Sequence, residues 1–294
     1  MIGRRGVGLW CARLAWALLP VSIGAALADA LDSWSTAPAN VAIVLLWSAW
    51  ALGLVALLAP RPWGLTCLRV LAPTAVIVAV LAAFGTSGTL AFSAVASSLV
   101  AAAFTLSSAV AVPAANAAAY GDEVRFPLRI PPSLFLAPVP LAVVLTAAGV
   151  AAGPLLLADE RIVAGIAAVV IGFPLAFVLV RSLHALSRRW LVLVPAGVVV
   201  ADPLTLADPV LMRRENIDLV DRASRTLRGQ AIDLRLGSAA GTICITLVAP
   251  QPFARRRGRH ALAREDADTV LVSAVQAAAF MRDAGARRIT VARD

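Results

Sequence analysis

In the stretch PFARRRGRHALARED, residues 252–266, five arginines stand close together: Arg255, Arg256, Arg257, Arg259 and Arg264. Four to eight basic side chains beside a cytoplasmic leaflet are drawn to anionic headgroups, at about 1 kcal/mol each. Arg255, Arg256, Arg257 and Arg259 are therefore the candidate anionic-lipid contacts. The competing reading is a solvated loop whose charge keeps it out of the bilayer. Nucleic acid is disfavoured as a partner, because no aromatic residues interleave with the arginines as stacking platforms.

Other residues with chemical capacity are few. The chain has two histidines, His184 and His260, and one tyrosine, Tyr120. A nucleophile needs a base within hydrogen-bond reach and a third group that orients the base. His184 lies in RSLHALSRR with no acid nearby in sequence, and His260 sits among arginines. Neither accompanies a nucleophile motif such as GxSxG. The cysteines Cys11, Cys67 and Cys244 form no CxxC pair, so neither a disulfide framework nor a zinc site is expected. These absences predict a protein that is not an enzyme and holds no cofactor or metal.

The elements that carry these residues are mostly apolar. Of 294 residues 60% are hydrophobic and only 15% charged, against about 25% charged in a soluble domain. A membrane-crossing helix needs roughly 20 apolar residues, and six stretches qualify: 9–29, 40–60, 66–84, 90–112, 135–157 and 162–183. None has an Asp or Glu away from its ends, which disfavours proton coupling. The first has a basic start and ends in AALADA, a pattern shared with signal peptides. Trp10 and Trp16 fit a retained helix better, with Arg13 reaching the headgroups. Six prolines (Pro20, Pro73, Pro138, Pro140, Pro154 and Pro174) fall within these stretches, as is common in membrane helices. Gly149 and Gly153 make a GxxxG, and Ser93 and Ser97 a small-xxx-small pair. Both are expected to pack helices within one chain.

All 26 basic residues are arginine. They mark every second flank: Arg4 and Arg5, then Arg61 and Arg69, then Arg125 and Arg129, then Arg181, Arg188 and Arg189. Arg161 is the one exception. The alternation predicts a multi-pass protein of the cell (inner) membrane with both termini in the cytoplasm.

Residues 190–201 are too few to cross again, and Pro195-Ala196-Gly197 interrupts them. They read as a β-hairpin. Beyond it, 210–220 reads as a half-exposed strand, and 231–236 and 242–248 alternate as strands, with Ile243, Ile245 and Leu247 on one face. DADTVLVSAVQAAAFMRDAGA then predicts a helix capped by Asp268 and Gly285, with Leu271, Val272, Val275 and Ala279 as its apolar stripe. The plan is a six-helix transmembrane domain over 1–187 and a cytosolic α+β domain over 188–294, with antiparallel strands and a C-terminal helix.

On RRWLVLVPAGVVVADPLT, VLMRRENIDLV and the strand pair before the final helix, this tail resembles the bacterial pleckstrin-homology-like domains. The whole chain resembles uncharacterised multispanning membrane proteins of GC-rich bacteria. The resemblance implies a binding or scaffolding module without catalytic residues. Its expected partners are the lipid bilayer, anionic phospholipid headgroups and another membrane protein. The alternative is a permease or lipid-handling transport subunit with a regulatory tail.

Overall fold

The computed structural model describes residues 4–86, 88–222, 231–257 and 261–292. Its chain divides into two compact units, Met1–Ala114 with Val139–His184, and Ala115–Pro138 with Ala185–Asp294. The later junction falls between His184 and Ala185, three residues before the expected split at 187. The connection before the fifth span belongs to the second unit.

The first unit begins with α1 (Arg4–Ala17), α2 (Leu19–Leu31), α3 (Thr36–Leu58), α4 (Pro62–Ala83), α5 (Gly88–Thr105) and α6 (Ser108–Asn116). The connection carries β1 (Val124–Pro127) and α7 (Pro132–Leu136), after which α8 (Pro138–Ala158) and α9 (Ile162–Ser187) complete the helices. Among the described residues six helical stretches are long and apolar enough to cross a membrane, α1 and α2 together making the first. The predicted fourth span ends earlier than expected, at Thr105, and restarts at Ser108. Pro138 opens α8, a position where its missing N–H costs nothing.

Small side chains build the interior of this unit. The buried face of α5 is Ala94, Ser98, Ala101, Ala102 and Thr105, one position on from the expected Ser93 and Ser97. Trp16 fills the space beside Gly53, where an added Cβ would stand 2.3 Å from its ring. Gly149 meets Gly172 and Gly153 meets Val169, so the GxxxG packs α8 on α9 within the chain. Side chains such as Ile166, Val170 and Phe177 on α9 remain exposed. That pattern suits helices solvated by lipid.

In the second unit β2 (Trp190–Val194) and β3 (Gly197–Ala201) form the expected hairpin around Pro195 and Ala196. Gly197 is required there: its φ is +149°, and a Cβ would lie 2.1 Å from the Met212 carbonyl oxygen. The sheet runs β1-β2-β3-β4, with β4 at Val210–Arg213. A 3-10 turn at Arg214–Asn216 then passes the chain to β5 (Ile217–Asp221) in the second sheet. The predicted strand 210–220 is thus two strands in two sheets. The order of the second sheet is β5-β7-β8-β6, from β6 (Ala231–Asp233), β7 (Thr242–Arg257) and β8 (Ala261–Ser273). Its β6 runs parallel to β8, a departure from the all-antiparallel expectation.

The helix predicted from Asp268 is another correction. Residues 261–273 are strand, and only α10 (Ala277–Ala286) is helical. Thr269 to Ser273 are buried on both faces because β8 is flanked by β7 and β6, and a central strand reads as a continuous apolar run. Gly285 lies inside the helix, and Arg288, at φ +61°, takes the left-handed position beyond it. One core joins the sheets and α10, with Phe126, Leu191, Ile243, Ile245, Phe253 and Phe280 among its members.

Candidate functional site

The arginine segment is a strand, not a loop. β7 continues through Arg257 and pairs antiparallel with β8, Phe253 opposite Glu265, Arg255 opposite Ala263, Arg256 opposite Leu262 and Arg257 opposite Ala261. Successive side chains on a strand point to opposite faces, so the ribbon divides the cluster. Arg255 shares a face with Phe253, which is buried at the base of the ribbon. Its Nη1 donates to Glu265 Oε2 at 3.0 Å, a pairing that largely neutralises it.

Arg256 lies on the other face. Its Nε donates to the Leu206 carbonyl at 3.1 Å, and its backbone N–H donates to Thr205 at 2.9 Å. These bonds anchor the stem of a side chain that stays exposed. The same face carries Leu262, 64% exposed, and the exposed Arg264 opposite Ala254. Arg257 joins the ribbon by its backbone pairing with Ala261, whereas Arg259 and His260 lie outside the described residues. The geometry therefore brings together Arg256, Leu262 and Arg264. Of the four expected contacts, Arg255 and Arg256 fall on opposite faces.

Close to the base of the ribbon, Arg235 Nη2 donates to Asp233 Oδ2 at 2.7 Å. That hydrogen bond holds the Asp233 carboxyl below the usual carboxylate range, and the Arg255 charge adds to the effect. The partner lifts the Arg235 guanidinium above its ordinary value.

A second arginine acts inside the domain. Arg189, expected as a flank charge, is fully buried and forms a forked pair with Asp202, Nε to Oδ1 and Nη2 to Oδ2, each 2.8 Å. Its Nη1 donates to the Arg129 carbonyl at 2.7 Å, so β2, β3 and the inserted connection meet at one guanidinium. The planar fork of guanidinium donors suits such convergence. The insertion ties in elsewhere too. Leu128 and Arg129 donate backbone N–H groups to Arg189 and Ser273, at 3.0 and 2.9 Å. Arg125 Nε donates to Glu123 Oε1 at 2.6 Å while its guanidinium lies 4.5 Å from the Trp190 ring centre. The hydrogen bond holds the Glu123 carboxyl below its ordinary value.

In the helical unit His184 is buried against α4. Its ring stacks on Trp63 with centres 3.5 Å apart, and Thr66 Oγ1 lies 2.8 Å from Nδ1. Arg13 does not only reach outward: its Nε donates to the Leu57 carbonyl at 3.1 Å, at the end of α3. A cation there also meets the negative end of the helix dipole. A cleft of about 560 Å³ opens between α2, α3 and α4, lined by Trp16, Ile23, Leu27, Ile43, Trp50 and Val78 among others. The sequence reading missed it, since its walls come from three separate apolar segments.

Against this geometry, no family model, curated protein or solved structure matches the chain.

Proposed function

We propose that the protein is a multi-pass membrane protein of a bacterial inner membrane that binds at the cytoplasmic face, with the strand unit as its binding module. One observation carries the reading: the outer face of the β7–β8 ribbon presents Arg256 and Arg264 around the exposed Leu262. Cationic guanidinium groups flanking an apolar side chain suit the headgroup boundary of an anionic leaflet, charge attracting and the leucine dipping in. Neither residue needs a catalytic partner for this. The alternation of arginines supports cytoplasmic termini. Two sheets around one core with a C-terminal helix support a pleckstrin-homology-like reading of the module, while β1 from the inserted connection and the parallel β6 are its own additions.

The test places a cysteine at 262 in a chain with Cys11, Cys67 and Cys244 replaced, and attaches an environment-sensitive fluorophore. In nanodiscs the emission should shift blue, and spin-labelled lipid should quench it, only when anionic lipid is present. Arg256→Gln with Arg264→Gln should remove about 2 kcal/mol of attraction, near thirtyfold in apparent affinity. Emission indifferent to lipid charge and to salt would refute a headgroup contact by this ribbon. The charges would then serve only as its solvated edge.

A further inference from the structure

We propose that the cleft between α2, α3 and α4 binds a single-chain amphiphile with a cationic head. This rests on the membrane reading of the six helices and not on the arginine ribbon. The volume of about 560 Å³ lies within the roughly 300–1,000 Å³ usual for small-molecule sites. Its walls are almost wholly apolar. Thr74 lines it, but its hydroxyl is turned back on the Val70 carbonyl at 2.8 Å. Asp32 is the one charged residue in the lining.

Asp32 also belongs to a second hollow. That space, about 570 Å³, shares Ala28 and Asp32 with the cleft and adds Asp29, Phe84, Gly85 and Thr86. An apolar slot thus opens into a polar surface hollow rimmed by two exposed carboxylates one helical turn apart. Thr86 donates to Asp29 Oδ2 at 2.8 Å, which orients that carboxylate at the rim of the hollow. Both acids stand at the C-terminal end of α2, where the helix dipole disfavours negative charge. No arginine occurs in 30–40 or 84–90 to offset them. The charge that complements this end of the slot is a cation brought by a ligand, and its tail would follow the apolar walls. Gly24 in the lining faces open space, since an added Cβ there would meet nothing within 4 Å.

The probes are hexadecylamine and palmitic acid, each carrying a spin label on the chain, added to the full-length protein in phosphatidylcholine nanodiscs. Trp16, Trp47 and Trp50 line the cleft and report entry by fluorescence quenching. The amine should quench saturably, with half-saturation at least tenfold below that of the acid. Gly24→Phe, whose Cβ would meet no atom within 4 Å and whose ring is meant to occupy the slot, should abolish the saturable part. Asp32→Asn should bring the two probes within twofold of each other. This second variant decides the matter if thermal melting shows that Gly24→Phe is unfolded. Equal or unsaturable quenching by both probes would overturn the proposal, as would undiminished binding by a folded Gly24→Phe protein. A cysteine-crosslinked dimer that seals the slot would overturn it too, by making a second copy the occupant. Arg256→Gln and Arg264→Gln should leave amine binding unchanged, so failure here and failure of the ribbon are read separately.

Discussion

Trp16 and Trp50 lock together across a defect that Pro20 creates. A helical carbonyl accepts from the residue four positions on, and proline has no N–H to give. The Trp16 oxygen takes the indole N–H of Trp50 instead, at 3.0 Å, while the Trp16 indole donates to the Trp50 carbonyl at 2.9 Å. Trp50→Phe should cost about 1–3 kcal/mol, the penalty of an unpaired buried acceptor, read as a lower melting temperature in detergent. Adding Pro20→Ala restores a donor and should recover part of the loss; no recovery would mean that packing alone explains the pair. In the strand unit, Arg189→Met should cost about 3–5 kcal/mol by leaving Asp202 buried without its partner, and Asp202→Leu in the same protein should recover much of it in urea titrations. The acidic limb of stability has a definite sign. Glu123 and Asp233 have lowered values in the fold, so their contributions are full above the ordinary carboxylate range of about 4. They disappear as pH falls through the lowered values. Glu123→Gln should flatten the acid limb of the unfolding midpoint, and an unchanged limb would exclude Glu123 as a source. The Arg189–Asp202 partnership was within reach of the sequence. A hairpin turning at Pro195-Ala196 pairs Trp190 with Ala201, which sets residues 189 and 202 opposite each other as the next pair. What the sequence hid was the burial.

At the scale of elements, the connection between α6 and α8 changes meaning. Expected only as a connection, it supplies an edge strand of the first sheet. Residues 124–127 pair with 190–193 in β2, and Leu128 bridges Ala274 of the other sheet. A protein made of residues 185–294 alone should therefore aggregate through the bared edge of β2. The same residues joined to 115–138 by a short flexible linker should be soluble and unfold cooperatively by circular dichroism. If 185–294 is equally soluble and cooperative by itself, the insertion is ornament. Local pattern failed here because VRFP is short and follows a polar turn, and strand pairing over more than sixty residues leaves no periodic trace. It failed again at 268–273, where a buried central strand and a buried helix are both simply apolar. It succeeded at the hairpin and at Ile243, Ile245 and Leu247, all buried, because alternation and turn chemistry are local. For α8 and α9, Gly149→Leu should force the helices apart, since the Gly172 carbonyl oxygen lies 2.7 Å from an added Cβ. Loss of thermal stability without any change in oligomeric state is the expected result.

For the whole molecule the testable quantity is topology. Alkaline phosphatase fused after Ser35 or Gly88 should be active, and a fusion after Arg225 silent; the reverse would overturn the reading of cytoplasmic termini. The sequence by itself determined the six apolar helices, their approximate limits and the departure from them at residue 188. It could do so because hydropathy over twenty residues is a property of a contiguous segment, set by the cost of leaving backbone or charge in hydrocarbon. It also showed how many arginines gather near residue 257. Tertiary structure alone decided which of them share a face, because strand alternation and register sort neighbours in sequence onto opposite sides. It alone turned Arg189 from a flank charge into the centre of a domain, and drew β1 out of a connection between helices. The cleft between α2, α3 and α4 belongs with these. A cavity is the space that side chains far apart in the chain fail to fill, and that depends on packing in three dimensions.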